Sequence, residues 1–418
     1  MHAMNDKKAL MEADAPTALE GFSTTAMYAG TSHDEEWRRM RGMTAHMLDT
    51  VGAGRMPITL QSGEGALLWD ILGRTFWDFY GGHAVTLIGQ GHPRWADAIA
   101  RQARSLSFFT TLTDVPIRTR ATAALCRFTG MPVAWFVNSG AEANEAALKI
   151  ARKATGRSVI VAMEHGFHGR TMGALGVTWG YRDQHAPSHG DVRFAKFGDI
   201  ESLKAVLDDA VAAVMIEPMQ GIAGITVPPE GYLAEVDRLA HANGSVLICD
   251  EVQSGIGRAG VPLLSVAMGA RPDIVTVGKG VGGGFPVSAM LCTEAMAKTV
   301  APSEHGTTFG GAPLACAAVE ATLEIIESEG LLEKSMALGE AMKAKLRLPG
   351  VVETRGQGAW IGVALDRPAK PVAAALIERG FLVGTSSDPR VMRLAPPAVM
   401  PLYVVDQLAE ALRQVLAS

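Results

Sequence analysis

Five short runs constrain this chain most. Val133–Val137, Val159–Met163, Ala212–Ile216, Val246–Cys249 and Ile274–Val277 are apolar apart from Thr276 and rich in β-branched residues. A strand with one wet face alternates apolar and polar residues, whereas a continuously apolar strand is buried on both faces. Segments of helical periodicity separate the runs. The pattern predicts an α/β fold with a mostly parallel central sheet covered by helices.

Around that centre the signals change. From Ile58 to Phe79, strand-like pieces are broken by Gly63, Gly65 and Gly73, which predicts a small antiparallel meander. His92-Pro93 opens a helix carrying Trp95, Ile99 and Leu106. A long helix from Pro313 to about Glu329 leads out of the central region. Beyond it, Ala359–Leu365, Phe381–Gly384, Val391–Leu394 and a final helix predict a smaller α+β domain. Trp37, Met40, Met43 and Met47 recur at helical spacing within Glu35–Leu48 and predict a helix packed on a core or a partner subunit. The expected division is an N-terminal segment, 1–80, contributing to the small domain, a large domain, 81–320, and a C-terminal small domain, 321–418.

Composition narrows the function classes. With 48% apolar and 19% charged residues among 418, a large core is available and disorder is disfavoured. A net charge of −5 carries no nucleic-acid or membrane signature. Cys126, Cys249, Cys292 and Cys316 are far apart and form no C-x-x-C pair, which argues against a disulfide framework or a metal site and suits a reducing compartment. Neither a signal-peptide centre nor a run of ~20 apolar residues is present. The expected location is the cytoplasm.

Four motifs stand at the ends of apolar runs. Asn138-Ser139-Gly140-Ala141-Glu142 follows the first and opens a helix. Helix N-termini offer unpaired N–H groups and a positive dipole end to a phosphate, although Ser139 also reads as an ordinary N-cap. Asp250 ends a fully apolar strand, where a carboxylate stays ionised only beside a cation such as a pyridinium N–H; capping the next turn is the alternative. Glu217 ends a neighbouring strand, and paired acids at strand ends mark the ligand edge of an open α/β sheet. Lys279 follows another such strand between Gly278 and Gly280, where a desolvated amine becomes a nucleophile toward aldehydes. Gly278, Gly280 and Gly283 also fit the spacing G-x-G-x-x-G, but Pro286 breaks the helix that a dinucleotide fingerprint should open.

In order and at matching spacing, NSGAEANEAALK (138–149), FHGRT (167–171), EPMQG (217–221), CDEVQSGIGR (249–258), GKG (278–280) and HGTTFGG (305–311) resemble the class III aminotransferases, most of all the acetylornithine and ornithine aminotransferases. The resemblance runs from about Pro57 to the C-terminus. It implies fold type I with bound pyridoxal 5′-phosphate (PLP), in a homodimer with sites at the subunit interface. By match, Ser139, Gly140 and Ala141 form the phosphate loop, Phe167 stacks on the pyridine ring and Gln253 lies near its phenolic oxygen. Asp250 is the pyridinium partner, Glu217 an acid behind it, and Lys279 the lysine that binds the cofactor covalently. Thr308 reaches the phosphate of the other subunit. Arg393 grips a substrate carboxylate, a task suited to a guanidinium fork, and Arg170 meets the substrate's far end. His168 reads as a hydrogen-bonded structural histidine.

Two residues depart from the family pattern. Ile222 stands where ornithine-type enzymes usually carry an acid, and Ala312 where asparagine is common. The expected activity is transfer of an amino group, the distal amine of an acetylornithine- or ornithine-like donor, to an oxo acid such as 2-oxoglutarate by ping-pong kinetics. Competing expectations are an ω-amino-acid:pyruvate transaminase, a PLP aminomutase or decarboxylase, and a non-catalytic α/β binding protein with a degenerate site.

Overall fold

A computed structural model describes residues 56–182 and 190–418. The helix expected within Glu35–Leu48 lies outside them. In chain order the strands are β1 Leu60–Glu64, β2 Leu67–Asp70, β3 Thr75–Asp78, β4 Val133–Val137, β5 Val159–Met163, β6 Val192–Ala195, β7 Val211–Ile216, β8 Val246–Glu251, β9 Ile274–Val277, β10 Ser288–Cys292, β11 Val351–Gly356, β12 Ile361–Leu365, β13 Phe381–Leu382, β14 Gly384–Thr385 and β15 Val391–Leu394.

The five apolar runs are β4, β5, β7, β8 and β9 of one seven-stranded sheet, ordered β4-β10-β9-β8-β7-β5-β6. The pairs β5–β6, β5–β7, β7–β8 and β8–β9 are parallel. Strand β10 runs antiparallel to both β4 and β9. Alternate residues feed two cores. Val161, Val214, Leu247, Cys249 and Val275 face one way, with the helix Pro313–Ser328 packed there. Ile160, Ala213, Met215, Ile248 and Ile274 face the other way, against the helix Gly140–Thr155. Removing one such side chain, as in Ile248→Ala, costs about 2–5 kcal/mol in a core this closed.

The chain's two described ends meet beside this sheet. The meander β1-β2-β3 is antiparallel, and β13 adds to it in parallel with Phe381 opposite Trp77. The stretch Phe381–Gly384, read from sequence as one strand piece, divides instead at Val383: β13 joins the meander, and β14 joins the C-terminal sheet β11-β12-β15-β14. That sheet is antiparallel and shares its core with the helices Leu331–Lys345, Ala369–Ile377 and Tyr403–Ala417. Among the described residues, no helix is long and apolar enough to cross a membrane, and no cluster of three His, Cys, Asp or Glu could hold a metal ion.

Candidate active site

Because β4 and β9 are both antiparallel to β10, strands β4, β5, β7, β8 and β9 all point the same way and end at one sheet edge. The motif residues follow those ends. A cavity of about 450 Å³ lies there, lined by residues that include Gly140, Ala141, Phe167, Arg170, Glu217, Asp250, Gln253 and Lys279.

Ser139 caps the helix Gly140–Thr155, its Oγ accepting from Glu142 N at 3.2 Å. The cap reading and the anion reading coexist, because the hydroxyl proton remains available. The Glu142 carboxylate turns back to accept from Asn138 N and Nδ2 at 2.7 and 2.9 Å. Among the described residues, the N–H groups of Gly140 and Ala141 find no acceptor. A Cβ on Gly140 would lie 2.7 Å from Val252 Cγ1, so that wall admits only glycine without movement.

Asp250 is 4% exposed, and its carboxylate is crowded with donors. Oδ2 accepts from His168 Nδ1 at 2.7 Å and Asn144 Nδ2 at 2.8 Å, and Oδ1 from Val252 N at 3.0 Å. Burial pushes this carboxyl up, but the His168 bond and charge outweigh it and hold Asp250 below the ordinary carboxylate value. The same pair works on His168: burial disfavours its cation, yet Asp250 raises it above the ordinary histidine value. Asn144 itself is fixed by Thr276 Oγ1, which donates to Asn144 Oδ1 at 2.7 Å.

Glu217 staples two loops to the sheet edge. Its carboxylate accepts from Phe167 N at 2.8 Å and Gly221 N at 3.0 Å. Burial pushes it up to about 7. Lys279 has φ +45°, a left-handed conformation that a lysine holds only under constraint. It opens a short 3₁₀ turn to Gly282 rather than a helix, which agrees with setting aside the dinucleotide fingerprint. Burial lowers its ammonium despite the nearby Asp250 and Glu217 charges. Among the described residues Lys279 Nζ has no hydrogen-bond partner.

The arginines are placed differently. Arg393, on β15, is 8% exposed and forms no ion pair with a described carboxylate. Its Nε donates to Thr385 O at 2.7 Å and its Nη1 reaches Gly221 O at 3.5 Å, just behind Ile222 on the cavity wall. Arg170 is exposed, with its guanidinium carbon 5.0 Å from the centre of the Tyr181 ring. Ser139 and Arg393 stand behind the lining residues. Thr308 is exposed and lies outside this chain's cavity, next to Phe309, whose ring meets Phe108 at 5.2 Å. The Asn144 contact went unread in the sequence, although Asn144 lies one helical turn beyond Gly140. His83 and Tyr181 also line the cavity and gave no motif signal.

These residues fit PLP. Two unpaired N–H groups at a helix start suit a phosphate, an ionised carboxylate suits a pyridinium, and an amine without a partner suits an aldehyde.

Comparison with known proteins agrees. The family model "Aminotransferase class-III" matches residues 49–416. An acetylornithine aminotransferase of Methanosarcina acetivorans is 40% identical, over 86% of this chain and 92% of its own. An ornithine aminotransferase of Toxoplasma gondii superposes with a TM-score of 0.85 at 28% identity, over 93% of this chain and 98% of that one, and its structure has PLP at partial occupancy in the active site. An acetylornithine aminotransferase from Elizabethkingia anophelis superposes with a TM-score of 0.81 at 28% identity, over 91% and 99%.

Proposed function

Because this chain belongs to the class III aminotransferases, we propose that the residues gathered at the sheet edge divide the work of a PLP-dependent amino transfer as follows. The activity is that of an acetylornithine- or ornithine-like aminotransferase, taking an amino-acid donor and an oxo-acid acceptor. When bound, the cofactor supplies an aldehyde and a ring that withdraws electrons from the carbon carrying the amine.

Gly140, Ala141 and the Ser139 hydroxyl would hold the phosphate, with Thr308 of the second subunit. Phe167 would cover the ring face, and Gln253 would meet the ring oxygen. Asp250, kept ionised by His168 and Asn144, holds the ring N–H. Glu217 fixes the loops that carry Phe167 and Gly221. Lys279 would hold the aldehyde and, as a free amine, would serve as the base and acid that moves a proton at the amine-bearing carbon. Arg393 grips the acceptor's carboxylate, and Arg170 meets the far end of the substrate. The observation that carries this reading is the convergence of a partnerless Lys279 with an ionised, buried Asp250 in one cavity.

The finer assignments complete the proposal. The chain is read as a cytoplasmic homodimer, divided at residues 80 and 320. Exposed Phe109, Leu112 and Phe309 beside Thr308 support the dimer, since adjoining apolar side chains mark an interface. The donor is read as N-acetylornithine-like. Bleaching of the bound cofactor in single turnovers tests this against N-acetylornithine, ornithine, 4-aminobutyrate and β-alanine. Preference for N-acetylornithine is expected, and preference for 4-aminobutyrate or β-alanine would move the enzyme to the ω-amino-acid group.

A further inference from the structure

Thr276 interrupts the otherwise apolar run Ile274–Val277, and the scheme above gives it no part. A strand buried on both faces takes valine as readily as threonine. A buried hydroxyl costs free energy unless it is hydrogen-bonded. Thr276 is fully buried, and in the pairing of β8 with β9 it stands opposite Asp250.

Its hydroxyl meets the buried side-chain amide of Asn144. Asn144 Nδ2 donates to Asp250 Oδ2 at 2.8 Å and to the His168 backbone O at 2.6 Å, and Oδ1 accepts from Thr276 Oγ1 at 2.7 Å. An ionised carboxylate and a backbone carbonyl can only accept, so together they take both Nδ2 protons. Oδ1 then needs a donor, and the Thr276 hydroxyl is the donor beside it. The reverse amide orientation would set Oδ1 against the carboxylate oxygen and the carbonyl oxygen, two repulsive contacts. Thr276 Oγ1 also lies 3.5 Å from Asp250 Oδ1, too far to compete for its one proton. The relay therefore runs one way, from Thr276 through Asn144 to Asp250. Donation into Oδ1 polarises the amide and strengthens Nδ2 as a donor.

We propose that Thr276 is a positioning residue whose hydroxyl fixes the Asn144 amide, so that an N–H and not an oxygen faces Asp250. The inference rests on the reading of Asp250 as the partner of the ring N–H. Without the hydroxyl, Oδ1 is left buried and unpaired, and the amide loses the contact that holds its orientation. Asp250 then loses a donor in a place where burial already pushes its carboxyl up. A more basic carboxyl draws the shared proton off the ring nitrogen, and the ring withdraws electrons less strongly.

The test uses the holoenzyme loaded with PLP that carries an isotope-labelled ring nitrogen. Three readouts are taken: the ring-nitrogen chemical shift by solid-state NMR at neutral pH, Tm, and the first half-reaction in single turnovers. Thr276→Val keeps the branched shape and removes the hydroxyl. Its ring-nitrogen resonance should move from the protonated position toward that of an unprotonated pyridine. The half-reaction should slow about tenfold, the scale of one hydrogen bond to a charged group. Thr276→Ser returns the hydroxyl and should recover most of both losses. A hydroxyl that serves stability alone would lower Tm in Thr276→Val and leave the resonance in place, and that result overturns the proposal. If Thr276→Val does not fold, Asn144→Leu carries the test, because the relay runs through the amide: an unmoved resonance there overturns the proposal too. Asp250→Asn separates the two claims. If it leaves the resonance at the wild-type position, the reading of Asp250 has failed; if it moves the resonance while Thr276→Val does not, only the role of Thr276 has failed.

Discussion

His168 Nδ1 lies 2.7 Å from Asp250 Oδ2, while its other ring nitrogen is buried with no partner among the described residues. Burial alone would neutralise Asp250, and the bond and charge of His168 lead the groups, with Val252 N and Lys279, that keep it ionised. Replacing His168 with phenylalanine should let the Asp250 carboxyl rise, so the acid limb of kcat moves to higher pH. Below the raised pKa, turnover should fall about tenfold for each unit of pH. An acid limb unmoved in a folded, cofactor-loaded variant would reduce His168 to packing.

Removing Asp250 itself should be worse. Asp250→Asn should keep PLP, because the phosphate contacts are elsewhere, and lose about 100-fold or more in turnover. Stopped-flow measurement of the first half-reaction checks this. Near-normal rates would make Asp250 a structural residue.

Glu217 predicts a pH dependence of stability. Its folded carboxyl titrates at about 7 against an ordinary 4.5, so the folded state holds a proton that the unfolded chain has released. Stability from this group is therefore present below about 4.5 and is lost as pH rises toward 7, by up to about 3 kcal/mol. Glu217→Gln removes that loss. Its stability relative to wild type should rise between pH 4.5 and 7 in denaturant titrations, even though one acceptor is gone. A constant difference across that range would contradict the buried, raised carboxyl.

Much of this was legible before the fold was known, and the reasons are local. The strands leading to Glu217, Asp250 and Lys279 are buried on both faces, so their apolar runs stand out, and the run before Ser139 is as apolar although it is an edge strand. Each site residue sits where such a run stops, which is where a parallel sheet binds ligands. The strand Ser288–Cys292 was missed because it follows directly on the glycine-rich stretch that ends at Pro286. His83 was missed because its place in the cavity comes from a left-handed turn, which hydrophobic periodicity does not encode. Arg393 could be matched by family pattern, but its lack of an acidic partner among the described residues is a fact of packing between β15 and the turn after Gly221.

That missing partner makes a prediction about donors. Ile222 leaves Arg393 without an acid, so Ile222→Glu should place a carboxylate against the guanidinium. The engaged arginine should bind the 2-oxoglutarate carboxylate less well, raising its KM about tenfold, and the donor ranking should shift toward ornithine. Steady-state kinetics on both half-reactions check it. An unchanged KM and an unchanged ranking would show that residue 222 does not reach Arg393.

The account stands most directly on one lysine. Borohydride reduction of the resting holoenzyme, followed by peptide mapping, should place the reduced pyridoxyl group on Lys279. Lys279→Ala should lose the visible cofactor band and all turnover. A pyridoxyl group mapped to any other lysine, or a Lys279→Ala enzyme that still transaminates, would contradict the assignment on which the rest of the mechanism depends.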